Sequence, residues 1–557
     1  MFGDADRRYM NNLGMWGHLK FMLRPHVKKI SVIFLLMLTL SGLNMIIPFY
    51  QQKIVDEGIL NNDLHLVIRL LFYIFVILFL SGLITALQNY LQSDISLKVG
   101  KKLELSILEH ALKLKYCYLK EQGIYKIVKD TDRYVQSVID LTGGKTIQIL
   151  VELFKFVGIF IALLMLDWKI TLYLLATIPL RIIITKILSS SVEKNSEKSC
   201  SVQKYIHGWE DNIYNSFLQI KIWNLVEMKA KEYNKLLESR NKIVKKHFFI
   251  TGIDSAIGNS FMQIVINTLY LFCGILIIKS DMTVGTMLTF ISYSGFLLQP
   301  ISLISYLKII ISKMQPEFEI YKNFISLPEE NKVEQIEQFP TNKEITLLFK
   351  EVSFGYGERK VINNLTFEMK TGDIVAVVGE NGAGKTTFIN LILRLYSPCS
   401  GQILLNNMDV QRIDMKSYRD NICTVLQFDD LFTGTIEENL TVYKQYDLSE
   451  ELLNNSLFKF ISKYEKGLST KIENKSSGVS GGEKQKIALL RALNKNGRIL
   501  ILDEATSNYD QESEKEFIDL MKKINYDIII LVTHNKNILN IANKIVKIEK
   551  NDKMQKE

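Results

Sequence analysis

Six apolar stretches in the first half constrain the fold more than any other feature of this chain. They cover approximately residues 30–50, 67–88, 146–166, 168–190, 255–278 and 282–307. Each approaches the roughly 20 residues that an α-helix needs to cross a bilayer. Ile30–Tyr50, Leu70–Leu87, Ser255–Ile278 and Met282–Leu307 carry no charge, whereas the third and fourth stretches hold ionisable residues. A buried helix of a soluble protein is shorter and amphipathic, so the set predicts an all-α bundle crossing a lipid bilayer. Hydrophobic residues make up 47% of the chain and charged ones 23%, which requires the apolar residues to be clustered.

The links between the stretches set the orientation. Residues 89–145 and 191–247 are long and helix-favouring, and each carries about ten Lys and Arg, whereas the links 51–65, 167–169 and 279–281 are short and nearly neutral. Basic loops stay in the cytoplasm, so both termini and both long links are expected there. The net charge of +9 has the same origin. No basic motif points to nucleic acid, and none is expected as a partner. Each long link is expected to extend a membrane helix into the cytoplasm, turn near 116–123 or 207–217, and run back. Those turns are the natural contacts for an ATPase half; the alternative is a solvated charged hairpin. The mixed apolar and basic run Trp16–Met22 suits a helix lying on the membrane surface. Five scattered cysteines with no CxxC pair indicate neither a disulfide framework nor a zinc site. No cleavable signal pattern precedes the first run.

Ionisable groups inside the third and fourth stretches are the candidates for a substrate cavity. Glu152 and Lys155 lie three apart on one helix face and can pair with each other. Lys155 lies about 17 Å from the outer end of its run by helix rise, hence mid-membrane. Arg181 sits in the fourth stretch, where Lys186 can snorkel to the inner surface. Such residues face a bundle interior or a water-filled cavity, and a structural Glu–Lys pair is an equal reading. The aromatic residues Phe154, Phe156, Tyr293 and Phe296 read as packing or lipid-facing.

A polar, proline-bearing segment, Leu327–Lys332, marks a linker over 323–344 between a membrane domain (1–322) and a second domain (345–557). From Ile345 short apolar strands alternate with helices, the α/β pattern. Gly379-Glu380-Asn381-Gly382-Ala383-Gly384-Lys385-Thr386 fits the G-x-x-x-x-G-K-[ST] phosphate loop, with an apolar strand, Ile374–Val378, before it and a helix beginning at Thr387 after it. Glycines let successive N–H groups turn toward a triphosphate; Lys385 reaches the outer phosphates and Thr386 holds Mg²⁺. Arg498–Glu504 is a strand ending in two carboxylates, where Asp503 would hold the metal and Glu504 would polarise water; the alternative is a pair capping the next helix. Asp527–His534 is a strand ending in a histidine placed for the γ-phosphate. Gln427, after Ile422–Leu426, is a neutral ligand for Mg²⁺ or water. Tyr356 can stack on adenine or be an ordinary strand-end tyrosine. Ser480-Gly481-Gly482-Glu483 opens a helix and makes a second anion site, which is explained if it reads ATP bound by another copy.

Taken together these segments resemble an ATP-binding cassette exporter half-transporter, over nearly the whole chain. Gly379–Thr386 resembles the Walker A motif, Leu502–Glu504 the Walker B motif with its catalytic glutamate, and Gln427 the Q-loop. Val479–Glu483 is similar to the signature LSGGQ, Ser507–Asp510 to the D-loop, and His534 to the switch histidine. Leu431–Leu440 is similar to a stretch typical of exporters; Ile54–Gly58 and Met282–Gly285 also resemble exporter positions. Val479 and Glu483 stand where Leu and Gln are usual, and Thr470–Ser476 lacks the usual glycine–glutamate pattern. The resemblance implies ATP and Mg²⁺ as cofactors, with Tyr356, Thr387 and the phosphate loop around the nucleotide and Ser480–Glu483 against the partner's ATP. It implies two cassettes sandwiching two ATP, in a homodimer or with a paired half-transporter, in a bacterial plasma membrane. The cargo is expected to be a peptide of bacteriocin type; a lipid, a lipid-linked sugar or a drug are the alternatives. With fewer than 30 residues before the first run, no leader-cleaving peptidase domain is expected ahead of it. An ATP-gated channel or membrane sensor is the rival class.

Overall fold

The computed structural model describes residues 13–549 except 123, 144, 280, 331–336, 358, 428–430 and 473–478; side chains within 120–127, 145–150, 188–194 and 298–309, and at scattered positions nearby, also lie outside it. Most of the unusual segment 470–476 therefore lies outside the described residues. The chain forms two compact units. One gathers residues up to Leu112 with Leu119–Leu327, and the other gathers Lys113–Tyr118 with the chain from Pro328 onward.

The first unit is helical. Its helices are α1 (Met15–Leu23), α2 (Val27–Lys53), α3 (Leu64–Lys113), α4 (Tyr116–Gln122), α5 (Ile124–Thr142), α6 (Lys145–Leu166), α7 (Trp168–Asn215), α8 (Phe217–Ile222), α9 (Val226–Ile278) and α10 (Val284–Ile325). Among the described residues, the stretches Met15–Ile59, Leu64–Lys113 and Val226–Ile278 are long and apolar enough to cross a membrane; Phe154–Leu166 and Val284–Leu297 are shorter apolar helices. The helices run far past the apolar stretches. α3 has 50 residues, about 75 Å of helix, because the apolar run passes into polar sequence without a breaker.

Local chemistry explains where these helices begin. Asp167 takes the N–H groups of Lys169 and Ile170 at 2.8 and 3.1 Å, which opens α7 after a one-residue link. Thr283 does the same for α10 through the Thr286 N–H. The second turn differs from the sequence expectation at 207–217. α7 continues through His207 to Asn215, and the chain reverses at 216–225, where Asn224 adopts the left-handed conformation that favours Asn.

Inside this unit Ile159, Leu163, Leu174, Leu269, Phe290 and Tyr293 belong to one buried cluster. Tyr293 is packing, as its burial and its hydrogen bond to the Met45 carbonyl at 2.6 Å show. Helix α1 buries Met15, Leu19 and Met22 and leaves Trp16 exposed. Its His18 Nδ1 lies 2.7 Å from the Tyr134 hydroxyl, inside a cage completed by Phe318 and Tyr321.

The second unit is α/β. An antiparallel sheet runs in the order β2 (Arg359–Lys370), β1 (Thr346–Tyr356), β4 (Ser400–Leu405), β5 (Met408–Asp409). A parallel sheet runs in the order β11 (Lys544–Lys547), β3 (Asp373–Val378), β10 (Ile528–Val532), β9 (Ile499–Asp503), β6 (Ile422–Val425). Short β7 (Gly434–Thr435) and β8 (Lys471–Ile472) pair separately. β9 and β10 are buried along their whole length, as continuous apolar runs covered on both faces should be. Three helices matter for function: α11 (Lys385–Ile392), α12 (Gly481–Asn494) and α13 (Gln511–Met521).

Candidate functional site

The parallel sheet collects the candidate residues by its strand order. β3, β10, β9 and β6 are neighbours and run the same way, with Val377 opposite Val532 and Val532 opposite Asp503. Their carboxyl ends therefore deliver the phosphate loop, His534, Asp503 with Glu504, and Gln427 to one edge. Ligands of open α/β sheets bind along that edge.

The phosphate loop has the backbone its glycines allow. Gly382 and Gly384 hold φ of +80° and +112°, and a Cβ on Gly379 would fall 2.4 Å from the Ile548 carbonyl oxygen. Lys385 donates to the carbonyls of Gly379 and Glu380 at 2.7 and 3.2 Å, and its Nζ lies 3.1 Å from His534 Nε2. The amine and the histidine thus converge where the outer phosphates would lie. Glu380, Asn381, Gly382 and Ala383 form the loop itself, and Thr386 and Thr387 start α11 at the end that favours anions.

Asp503 is buried, and this burial, reinforced by the neighbouring Glu504 charge and opposed by Lys385, pushes its carboxyl up to about 6. A buried carboxylate on the sheet edge beside a hydroxyl-bearing phosphate loop is a donor set suited to Mg²⁺. Glu504 adopts φ +49°, a conformation rare for a non-glycine residue, and its N–H bonds to the Val532 carbonyl. Gln427 Nε2 donates to Glu504 Oε2 at 2.8 Å. Neither carboxylate caps a helix; Asp510 instead caps α13 by accepting from the Ser513 N–H at 2.8 Å.

Ser480 caps α12, and Glu483 completes the box by accepting from the Ser480 N–H at 2.8 Å and from its hydroxyl at 2.7 Å. The glutamate at this place is thus a capping residue as well as a departure from the usual Gln. Although burial opposes it, those bonds hold its carboxyl below the usual range. The helix start is exposed at Ser480 and Gly481. Gly482 has no space for a side chain, since a Cβ would meet the Asn508 carbonyl oxygen at 2.8 Å. Gln485 ties the two motifs together, donating to the Ser507 hydroxyl at 2.9 Å and accepting from the Asn508 N–H at 3.2 Å. Sequence reasoning missed Gln485. Its only signal is its place one turn after Ser480, on the face that α12 buries.

Tyr356 is joined to Thr387 by a hydroxyl contact of 3.3 Å and meets Tyr396 edge-on at 5.3 Å. Tyr396 in turn meets Tyr116 edge-on at 5.9 Å. The segment carrying Tyr116 is bound into this unit by backbone: the Glu330 N–H donates to the Lys113 carbonyl at 2.9 Å, and Leu114 pairs with Glu329 and is fully buried. Glu330 is also held by both guanidinium nitrogens of Arg419, at 2.8 and 3.2 Å. Within this unit Tyr116, Tyr396 and Tyr356 thus form an aromatic row that ends beside the phosphate loop.

In the membrane unit, Lys155 donates to Glu152 at 2.9 Å and both are largely buried. Arg181 faces Asp254 at 3.2 Å. Asp254 is a partner that the sequence reading did not assign, because it lies one residue before an uncharged run. Gly258 makes room for it: a Cβ there would come within 2.9 Å of the Arg181 guanidinium. Among the described residues, Glu152 and Lys155 thus take each other as partners and Arg181 takes Asp254.

A family model of the ABC transporter transmembrane region matches residues 30–301, and one of the ABC transporter matches 362–507. Across 475 residues the chain is 25% identical to an ATP-dependent lipid A-core flippase of Francisella tularensis, covering 82% of this chain and 77% of that one. An uncharacterized ABC transporter ATP-binding protein of Bacillus subtilis, YfiC, is 25% identical over 541 residues, 95% of this chain and 89% of its own. The structure of a bacterial Atm1-family ABC exporter with ATP bound superposes with a TM-score of 0.81 at 20% identity, over 94% of both chains. The chain belongs to the ATP-binding cassette exporters. It is a multi-pass membrane protein with one membrane region and one ATP-hydrolysing cassette.

Proposed function

We propose that this chain is an exporter of a lipid-type cargo, driven by ATP hydrolysis at Glu504 and working as a homodimer in a bacterial plasma membrane. The alignment of four strand ends carries the catalytic half of the reading. The phosphate loop, with Gly379, Lys385 and Thr386, would bind the triphosphate; Thr386 and Asp503 would hold Mg²⁺, which neutralises charge developing on the phosphates. Glu504 would take a proton from the attacking water, with Gln427 steering its carboxylate and His534 donating to the γ-phosphate. Tyr356 would stack on adenine.

Exposed apolar surface supports the dimer. The extension of α3 leaves Leu97, Leu105, Leu108 and Leu112 exposed in one stripe, and the 216–228 tip exposes Phe217, Ile222, Trp223 and Met228. Outside a bilayer such patches call for a protein partner. The exposed start of α12 calls for one too, since Ser480 and Gly482 would read ATP held by a second copy. The basic long links support a cytoplasmic position for both termini.

The peptide cargo expected from sequence finds no support among the relatives named above, whereas the lipid alternative does, through the lipid A-core flippase. The test is a reconstituted system with both cargo classes. ATP-dependent flipping of a fluorescent lipid, lost in Glu504→Gln, is the expected result. Uptake of peptides with no lipid flipping would return the cargo to the first expectation. Steady ATPase activity with neither would favour the channel or sensor class. A mass matching one chain, or obligate co-purification with a different transporter subunit, would sink the homodimer.

A further inference from the structure

On the helical extensions of the membrane unit, away from the apolar runs, lies a cavity of about 500 Å³ that neither the ATPase site nor the buried ion pairs use. Its size is that of a small-ligand site. Arg133 on its wall lies on α5, 13 residues before the third apolar run opens at Thr146. The lining is two-sided. On α5 and α7, Arg133 Nη2 approaches His207 Nδ1 at 3.5 Å, and Gln203 Nε2 lies 3.0 Å from His207 Nε2. On α9 the wall is Ile243, Val244 and Phe248.

The charges on the lining sort themselves. Asp132 has Lys129 one turn away, whose charge counters the upward push of burial on its carboxyl. Glu317 is buried and accepts from the Ser137 hydroxyl. His247 lies on the α9 wall next to Phe248. Asp132 thus has a cation one turn away and Glu317 a hydroxyl donor, and a guanidinium, an imidazole and an amide converge on the α5–α7 side. Burial and the Arg133 charge keep His207 below its usual pKa, opposed by Glu210 and Asp130. A guanidinium fork with a second and third donor is the arrangement that suits a phosphate. Phe248 lies on α9 seven residues before the uncharged run beginning at Ser255.

We propose that this cavity binds the phosphate headgroup of an anionic amphiphile, with Arg133, His207 and Gln203 on the phosphate and Ile243, Val244 and Phe248 along the first carbons of the chain. The binding stands whether or not the bound amphiphile is the cargo.

The test uses the full-length protein in nanodiscs of phosphatidylcholine, alone or with a minor share of phosphatidic acid, and counts retained lipid by native mass spectrometry. Phosphatidic acid is expected to stay bound to the wild type and to fall about tenfold in Arg133→Ala, with Arg133→Lys between them. Phe248→Ser is expected to weaken it less. ATPase activity in phosphatidylcholine alone stays at the wild-type level in each variant, which shows that they are folded. If Arg133→Ala does not fold, Gln203→Leu and His207→Leu replace it. Equal retention in Arg133→Ala, or phosphatidylcholine held as firmly, overturns the proposal. So does displacement by inorganic phosphate at the same concentration as the lipid, which would mean an anion site with no use for the apolar wall. Flipping assays on the same variants keep the two readings apart. A variant that loses retention but still flips lipid leaves the cargo reading standing, and a wild type that retains lipid without flipping it leaves this one standing.

Discussion

In the cassette, ionisable side chains stand at strand ends and turn toward a shared edge, so that Lys385, Asp503, Glu504 and His534 can act on one ligand. In the membrane unit the charges settle one another: Lys155 with Glu152, Arg181 with Asp254. The difference follows from solvent. A cleft open to water lets a charge stay poised for an incoming phosphate, whereas a charge in hydrocarbon is costly unless a partner is already in place. The strongest way to break this comparison is at Glu504. Glu504→Gln keeps the hydrogen-bonding shape toward Gln427 but loses the base, so ATP turnover should fall by about 10²–10⁴-fold while ATP binding persists. Turnover within a few-fold of wild type would move the proton-accepting role elsewhere.

The corresponding change in the membrane unit acts on stability. Arg181→Ala leaves Asp254 without its partner, and breaking a buried ion pair costs about 3–5 kcal/mol. Asp254 keeps 31% of its side-chain surface, so the low end applies. The expected outcome is a clear drop in melting temperature in detergent, largely reversed in the double variant Arg181→Ala/Asp254→Ala. If instead stability is unchanged and cargo-stimulated ATPase alone is lost, Arg181 belongs to a substrate cavity.

The same contrast decides how much was legible beforehand. The phosphate loop, the two carboxylates and His534 were readable because each motif sits at a strand end, and parallel pairing forces strand ends together. The link from Gln485 to Ser507 and Asn508 was not, since it depends on how α12 packs against the turn after β9. Arg181 was visible as an anomaly in an apolar run, but its partner Asp254 lies 73 residues away on another helix, and one sequence has no periodicity that links them. The second turn was misplaced because helix-favouring residues run past His207 to Asn215, and the reversal needs only a short polar break at Asn224. Ile54–Gly58 and Met282–Gly285 were noted separately; that they meet in space emerged only with the fold.

Tyr396 offers a subtler test within the cassette unit. It touches both Tyr116 and Tyr356, and an aromatic pair contributes about 0.5–1.5 kcal/mol beyond its buried area. Tyr396→Ala should raise the KM for ATP by up to about tenfold and lower the stimulation of ATPase by cargo. Tyr396→Phe, which keeps the ring, should restore both. A variant with normal KM and normal stimulation would make the aromatic chain mere packing.

The smallest effect is expected where a charge in the membrane unit behaves as charges do in the cassette, at a helix start. Asp56, in the π-helical turn Ile54–Ile59 after α2, accepts from the Gly285 N–H at 2.9 Å and from the Thr283 hydroxyl at 2.6 Å. It thus supplements Thr283 as a cap for α10 and joins the ends of two membrane helices. A carboxylate there also gains from the helix dipole. Asp56→Ala should lower stability by about 1 kcal/mol, the usual range for losing a cap, and Asp56→Asn, which can still accept, by less. Gly285→Ala should cost more than either, because its Cβ would fall 2.5 Å from Asp56 Oδ2 and 2.6 Å from the Gln52 carbonyl oxygen. Melting temperatures of the three variants give the order directly. If Gly285→Ala is the mildest, the two ends are not held this closely, and Asp56 is a solvated surface charge.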